Sequence, residues 1–247
     1  GVRLGLRDDY GGLACDGYPI ENGVHTLASH GAGVWVPVVT DEQIWHLNPE
    51  KVFGLRKDFA EKYPKTTAAL LRAIIKAQQW LDADNGANRV EAVKILSQPN
   101  YVGADEAVIA ASMTGNFTFE PGDTRPAPDF NIFFNHYAGY PYYSDAIWYL
   151  TQMRRWGQIA EEKSDQWYFD TAKAVYRPDL YLSAAKSLAE AGVIPADSIP
   201  ETDGFKPATS EFIDGKAYDG HKPNAYLSQF EIGLKGKATV TAAGVVN

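Results

Sequence analysis

A single cysteine, Cys15, occurs in the 247 residues. That excludes an intrachain disulfide and a cysteine-based zinc cluster, and it leaves the compartment unread from thiol usage. No apolar run approaches the ~18–20 residues that a bilayer-spanning helix needs. The chain opens without a charged stretch leading into an apolar one, so no signal peptide is read in it as given. Processing, a cytosolic location and a natural start elsewhere all agree with that. Positive charge is in deficit, with a net charge of −8. Nucleic acid is therefore not expected as a partner, because phosphate binding needs a basic field. A small anionic ligand would need a local positive group against this global field.

The motifs of common chemistries are missing as well. There is no HExxH, GxSxG, GxGxxG or phosphate-binding loop. His25, His30, His46, His136 and His221 fall at no metal-ligand spacing. Glu161 and Glu162 read as a solvated pair at a helix end. Asp123, Arg125 and Asp129 read as an ion pair tying down a loop, with a ligand site as the alternative. Nothing in this set points to an enzyme, and no metal site is expected.

What is present is mostly helical. Residues 1–40 are glycine-rich, with an expected edge strand at 33–39 that contains Pro37. Thr40 suits a cap for one helical turn over Asp41–Trp45. A long helix is expected from Pro64 to about Ala83, with Leu70, Leu71, Ile74, Ile75 and Leu81 as its apolar stripe and Asp82–Gly86 as its stop. Shorter helices follow at Arg89–Ser97, capped by Asn88, and at Asp105–Met113. Residues 114–142 read as an irregular aromatic loop. Helices are expected again at Ser164–Val175 and Pro178–Ala191, the second with Pro178 at its first position and Gly192 just beyond its end. From Ile194 the pattern is short and loop-like. A complete doubly wound α/β domain would alternate strands with helices; here the helices dominate and strands are few.

Two segments carry most of the information. Pro141–Ile159 (PYYSDAIWYLTQMRRWGQI) reads as a helix capped by Ser144, with Asp145 in the first turn. Ala146, Tyr149, Leu150, Met153, Trp156, Gly157 and Ala160 share its expected packing face, and Arg154 and Arg155 lie off it. In Asn48–Leu55 (NPEKVFGL), polar residues lead into a short apolar run, so Lys51 is expected at a loop-to-strand junction. An exposed lysine satisfies that pattern, as does a lysine turned into a cleft to give charge and donors to a small anion.

Four blocks resemble the nitrate/bicarbonate-type solute-binding proteins of ABC importers, most closely the nitrate-binding branch. They are TDEQIW with NPEKVFGL (40–55), KYPKTTAALLRAIIKAQQWLDADN (62–85), PGDTRPAPDFNIFF into PYYSDAIWYLTQMRRWGQI (121–159), and KAVYRPDLY (173–181). The resemblance covers roughly 34–232. It implies an α/β periplasmic-binding-protein type II clamp, here helix-rich and lacking much of the N-terminal sheet and second lobe. On this reading the chain is the C-terminal portion: 1–33 a poorly matching return segment near the hinge, 34–232 a helical part of the first lobe, and 233–247 a polar tail. It implies no catalysis. Lys51, in the proline–glutamate–lysine step, matches the family's anion-contacting lysine. Gly17, in Cys15-Asp16-Gly17-Tyr18-Pro19, matches a glycine that donates from its backbone, although Tyr18 and Ile20 depart from the usual glutamate and tryptophan. The implied ligand is nitrate or nitrite and the implied partners are an ABC permease and ATPase, in the periplasm or at the cell membrane. A bicarbonate binder using calcium and a cytosolic nitrate sensor or regulatory domain are the alternatives. No other cofactor is implied. The Pro141–Ile159 helix identifies the family, with its aromatic face read as packing and the ligand contacts read as lying elsewhere, near Gly17 and Lys51.

Overall fold

The computed structural model describes residues 39–120 and 122–233. Gly17, the strand expected around Pro37, and the segments 1–33 and 234–247 lie outside the described residues. Among the described residues the chain forms α1 (Asp41–Ile44), α2 (Lys57–Lys62), α3 (Pro64–Gly86), α4 (Arg89–Leu96), α5 (Glu106–Met113), β1 (Asn116–Glu120), β2 (Asp123–Pro126), α6 (Tyr143–Arg155), α7 (Asp165–Val175), α8 (Pro178–Glu190) and α9 (Pro223–Leu227), with short 3-10 turns at Asn135–Tyr137 and Ala196–Ser198. The helix-rich expectation holds. The chain divides into two compact units, one of residues 1–48 and 73–139, the other of 49–72 and 140–247.

In the first unit, α1 is set by a capping box. The Thr40 hydroxyl accepts from the Gln43 N–H at 3.3 Å, and the Gln43 side chain accepts from the Thr40 N–H at 2.9 Å. The long helix α3 stops where expected, because Asp84, Asn85 and Gly86 all take positive φ (51°, 55° and 80°). Of its expected stripe, Ile75 is buried and Ile74 and Leu81 are half-buried in this unit, while Leu71, half-buried, and Leu70, exposed, belong to the part of the helix in the second unit. The loop expected at 114–142 contains structure that its composition concealed: β1 and β2 pair as an antiparallel hairpin. NFTFE alternates, so Phe117 and Phe119 are buried while Thr118 meets Thr124 across the other face at 2.9 Å. Phe130 closes the cluster, its ring centroid 4.6 Å from that of Phe117.

In the second unit, α6, α7 and α9 bury Ala146, Ile147, Tyr168, Ala172 and Leu227. The Ser164 hydroxyl caps α7 by accepting from the Trp167 N–H at 3.2 Å, and α8 begins with Pro178 and ends before Gly192 at φ +68°. Two expectations about α6 are corrected. Ser144 is not its N-cap; Tyr142 is, and no side chain caps the helix. The buried Ser144 hydroxyl instead accepts from the Lys206 N–H at 3.0 Å, and its carbonyl accepts from the Tyr218 hydroxyl. The packing face is also rotated. Ile147 and Thr151 are fully buried, whereas Met153 is 40% and Trp156 48% exposed. The stretch 204–220 packs over the start of α6, and a Cβ on Gly220 would lie 2.6 Å from the Ser144 side chain. The tail expected to be loop-like thus supplies Tyr218, Tyr226 and Leu227 to the interior, and Pro223 opens the unexpected helix α9.

Candidate functional site

Lys51 lies in an irregular stretch, 48–56, between α1 and α2. The strand expected after it does not form. A strand needs a partner to take its backbone groups. Among the described residues the only sheet is the β1–β2 hairpin, and Gly54 interrupts the apolar run. Val52 and Phe53 stand 61% and 52% exposed. Lys51 itself is exposed, and its ammonium donates to Glu50 Oε1 at 2.6 Å. An exposed pair of this kind contributes little to stability. The ammonium, with its three N–H donors, has the charge and donor chemistry that a small oxyanion requires.

The main-chain carbonyls just before Lys51 are both engaged by one side chain. The Tyr149 hydroxyl lies 2.8 Å from the Pro49 carbonyl oxygen and 2.7 Å from that of Glu50. Tyr149 projects from α6, about two turns into the helix, and its ring meets Trp148 edge-on at 5.2 Å. The helix that carries the family resemblance is therefore joined to the candidate lysine segment within one unit, although the aromatic face was expected only to pack. Sequence spacing gives no sign of this contact, because the partners are 100 and 99 positions apart. The two arginines of α6 are used internally. Arg154 donates to the carbonyls of Ile159 and Ala160, at 3.1 and 2.8 Å, and Arg155 lies over the Phe230 ring at 3.8 Å.

Among the described residues two carboxylates, Asp82 and Asp145, are buried. Asp82 Oδ1 accepts from Arg89 at 2.7 Å, and Oδ2 accepts from the successive N–H groups of Phe133, Phe134 and Asn135 at 2.9, 2.7 and 3.0 Å. Arg89 also donates to the carbonyls of Leu81 and Asn131. Asp145 faces Lys206 at 3.0 Å through Oδ2, while Oδ1 is buried without a hydrogen bond. Burial pushes the Asp145 carboxyl above its ordinary range, and Lys206 opposes the shift. Burial likewise raises Tyr181 to about 12 and Tyr218 well above the usual phenol value.

The expected ion pair at Asp123 and Arg125 forms as a two-bond fork, with the guanidinium 4.3 Å from the Phe119 ring. Asp129 does not join it. Ligand atoms of Glu42, His46 and Asp129 all lie within 4.8 Å of one another, which sequence spacing alone did not reveal beyond the helical i, i+4 relation of Glu42 and His46. These groups are exposed or half-buried, and His46 Nδ1 is 2.7 Å from Glu42 Oε1. They are the described residues whose chemistry best suits a cation. No helix among the described residues is long and apolar enough to cross a membrane.

In fold, and in sequence over about four-fifths of its length, the chain is similar to one class of protein, the nitrate/bicarbonate-type solute-binding proteins. The profile of the NMT1-like family matches residues 24–97. Among particular relatives, the nitrate/nitrite binding protein NrtA of Nostoc sp. (strain PCC 7120) is 35% identical over 199 residues, which are 79% of this chain and 42% of that protein. The bicarbonate-binding protein CmpA of Synechococcus elongatus is 34% identical over 205 residues, covering 77% of this chain and 42% of CmpA. The nitrate import ATP-binding protein NrtC of Synechocystis sp. is 31% identical over 198 residues, 79% of this chain and 27% of NrtC. The crystal structure of the periplasmic nitrate-binding protein NrtA from Synechocystis PCC 6803 superposes with a TM-score of 0.74 at 32% identity, covering 83% of this chain and 51% of that one. The chain thus has the periplasmic-binding-protein fold in part, and spans less than half the length of the binding-protein relatives it matches by sequence.

Proposed function

We propose that this chain is part of a solute-binding component of an ABC importer that captures nitrate or nitrite for delivery to a membrane permease and its ATPase. The observation that supports this most is the Pro49-Glu50-Lys51 step in a chain homologous to nitrate binders. A planar monovalent anion is held best by neutral donors and one positive charge, and Lys51 brings that charge. Calcium, as required by the bicarbonate alternative, takes about six oxygen ligands. An ammonium beside such a site opposes the second cation. Nitrate is therefore preferred over bicarbonate, Gly17 remains the second proposed contact, and the location proposed is periplasmic or at the cell membrane. The similarity to part of NrtC favours one further reading, a regulatory domain of the same fold working with an import ATPase in the cytosol.

Nuclear magnetic resonance titration of the labelled chain with nitrate, nitrite and bicarbonate tests this, with chloride holding the ionic strength constant. Nitrate is expected to give saturable shifts at Lys51 with a Kd of about a millimolar or weaker. Saturation by bicarbonate only when calcium is present would replace nitrate with the bicarbonate reading.

A further inference from the structure

We infer that Tyr149 is the positioning residue of the Lys51 segment, holding the two carbonyls before the lysine so that its ammonium, rather than a carbonyl oxygen, meets the anion. The inference rests on the reading of Lys51 as the anion contact. Its geometric basis is separate. One hydroxyl lies within hydrogen-bond distance of the carbonyls of Pro49 and Glu50, at 2.8 and 2.7 Å. A phenol has a single proton, so that proton is shared between the two acceptors or alternates between them. In both cases the two carbonyl oxygens converge on the same point, and this fixes the turn that leads into Lys51.

The consequence for an anion is electrostatic. A carbonyl oxygen carries partial negative charge and repels an oxyanion, while it is a good ligand for a hard cation such as calcium. Two such oxygens immediately before Lys51 would, if turned toward the ligand, oppose its ammonium. Tyr149 keeps both engaged. The segment itself forms no helix or strand, since 48–56 is irregular, and the space beside Gly54 is open, a Cβ there meeting nothing within 4 Å. The Tyr149 hydroxyl is a side-chain tie that reaches it from another element. The Tyr149 tie comes from a helix whose neighbouring turns are fixed by fully buried Ile147 and Thr151. A lysine on an unrestrained loop loses side-chain and backbone freedom when it binds, and a loop already held loses less.

The test compares Tyr149→Phe with the wild-type chain in the same nitrate titration. Phenylalanine keeps the ring and its edge-on contact with Trp148, and removes only the hydroxyl. The Pro49 and Glu50 carbonyl carbon shifts report the tie directly, and the thermal midpoint reports the fold. The expected result is displaced carbonyl shifts, a midpoint lowered by about 2–4 °C with the fold retained, and nitrate affinity at Lys51 weakened about tenfold, the effect of one hydrogen bond. Equal nitrate affinity in the two proteins, with wild type binding, overturns the positioning role and leaves Lys51 as the contact. Absence of saturable nitrate binding in the wild type overturns the Lys51 reading and this inference with it. Unmoved carbonyl shifts overturn the tie itself.

Discussion

Asp82 in the first unit and Asp145 in the second are both buried carboxylates facing a cation, yet their surroundings differ. Asp82 has every side of its carboxylate occupied, by Arg89 and by the three N–H groups of 133–135. Asp145 has Lys206 on one oxygen and nothing on the other. A buried charge that is completely hydrogen-bonded acts as a structural pin, because removing it orphans every partner. A buried charge with one bare oxygen is held less firmly in its ionised form, and its protonation is drawn toward higher pH. The first arrangement fixes the backbone of 133–135 against α3. The second leaves a titratable group at the start of α6, four residues before Tyr149.

Breaking the first arrangement should have the largest effect. Asp82→Ala leaves Arg89 and three N–H groups without their acceptor, and should destabilise the chain by about 3–5 kcal/mol in urea unfolding. Asp145→Asn sharpens the contrast through pH and should cost much less. The Asp145 pKa is raised on folding from its ordinary value of 3.8, so the folded state binds the proton more tightly than the unfolded chain does. That contribution is fully present below pH ~3.8 and is lost as pH rises through the folded pKa. Unfolding measured from pH 3.5 to 7 should therefore show wild type losing stability relative to Asp145→Asn over that window. A constant difference between the two proteins would contradict the raised pKa. Thr40→Ala touches neither carboxylate. It removes the capping box of α1 and should cost about 1 kcal/mol, read from the same urea curves.

Much of the helical architecture was legible in the sequence because it is written in local signals. Thr40, Ser164, Pro178, Gly192 and the Asp82–Gly86 stop act through neighbours within one or two turns. The β1–β2 hairpin is hidden in the sequence, since the prolines and glycines around it obscure a five-residue alternation. Ser144 misleads for the opposite reason. It is a good cap by residue type, but the returning strand of chain at Lys206 and Tyr218 claims its hydroxyl and carbonyl. The same tertiary packing rotates α6, so that Ile147 and Thr151 are buried in place of Met153 and Trp156. Of the candidate site, Lys51 is singled out by the family resemblance alone, since its pattern of polar residues before an apolar run equally fits an ordinary exposed lysine. Its tie to Tyr149 spans about a hundred residues and leaves no mark in local spacing.

The most direct test of nitrate capture through Lys51 is nitrate titration of wild type beside Lys51→Glu, at constant ionic strength and followed by nuclear magnetic resonance. The variant reverses the charge at an exposed position, so the fold should persist with a near-identical spectrum away from 49–52. Wild type should show saturable, nitrate-specific shifts around Lys51, and Lys51→Glu should show none. Equal nitrate binding by both proteins would contradict the assignment of Lys51 as the anion contact.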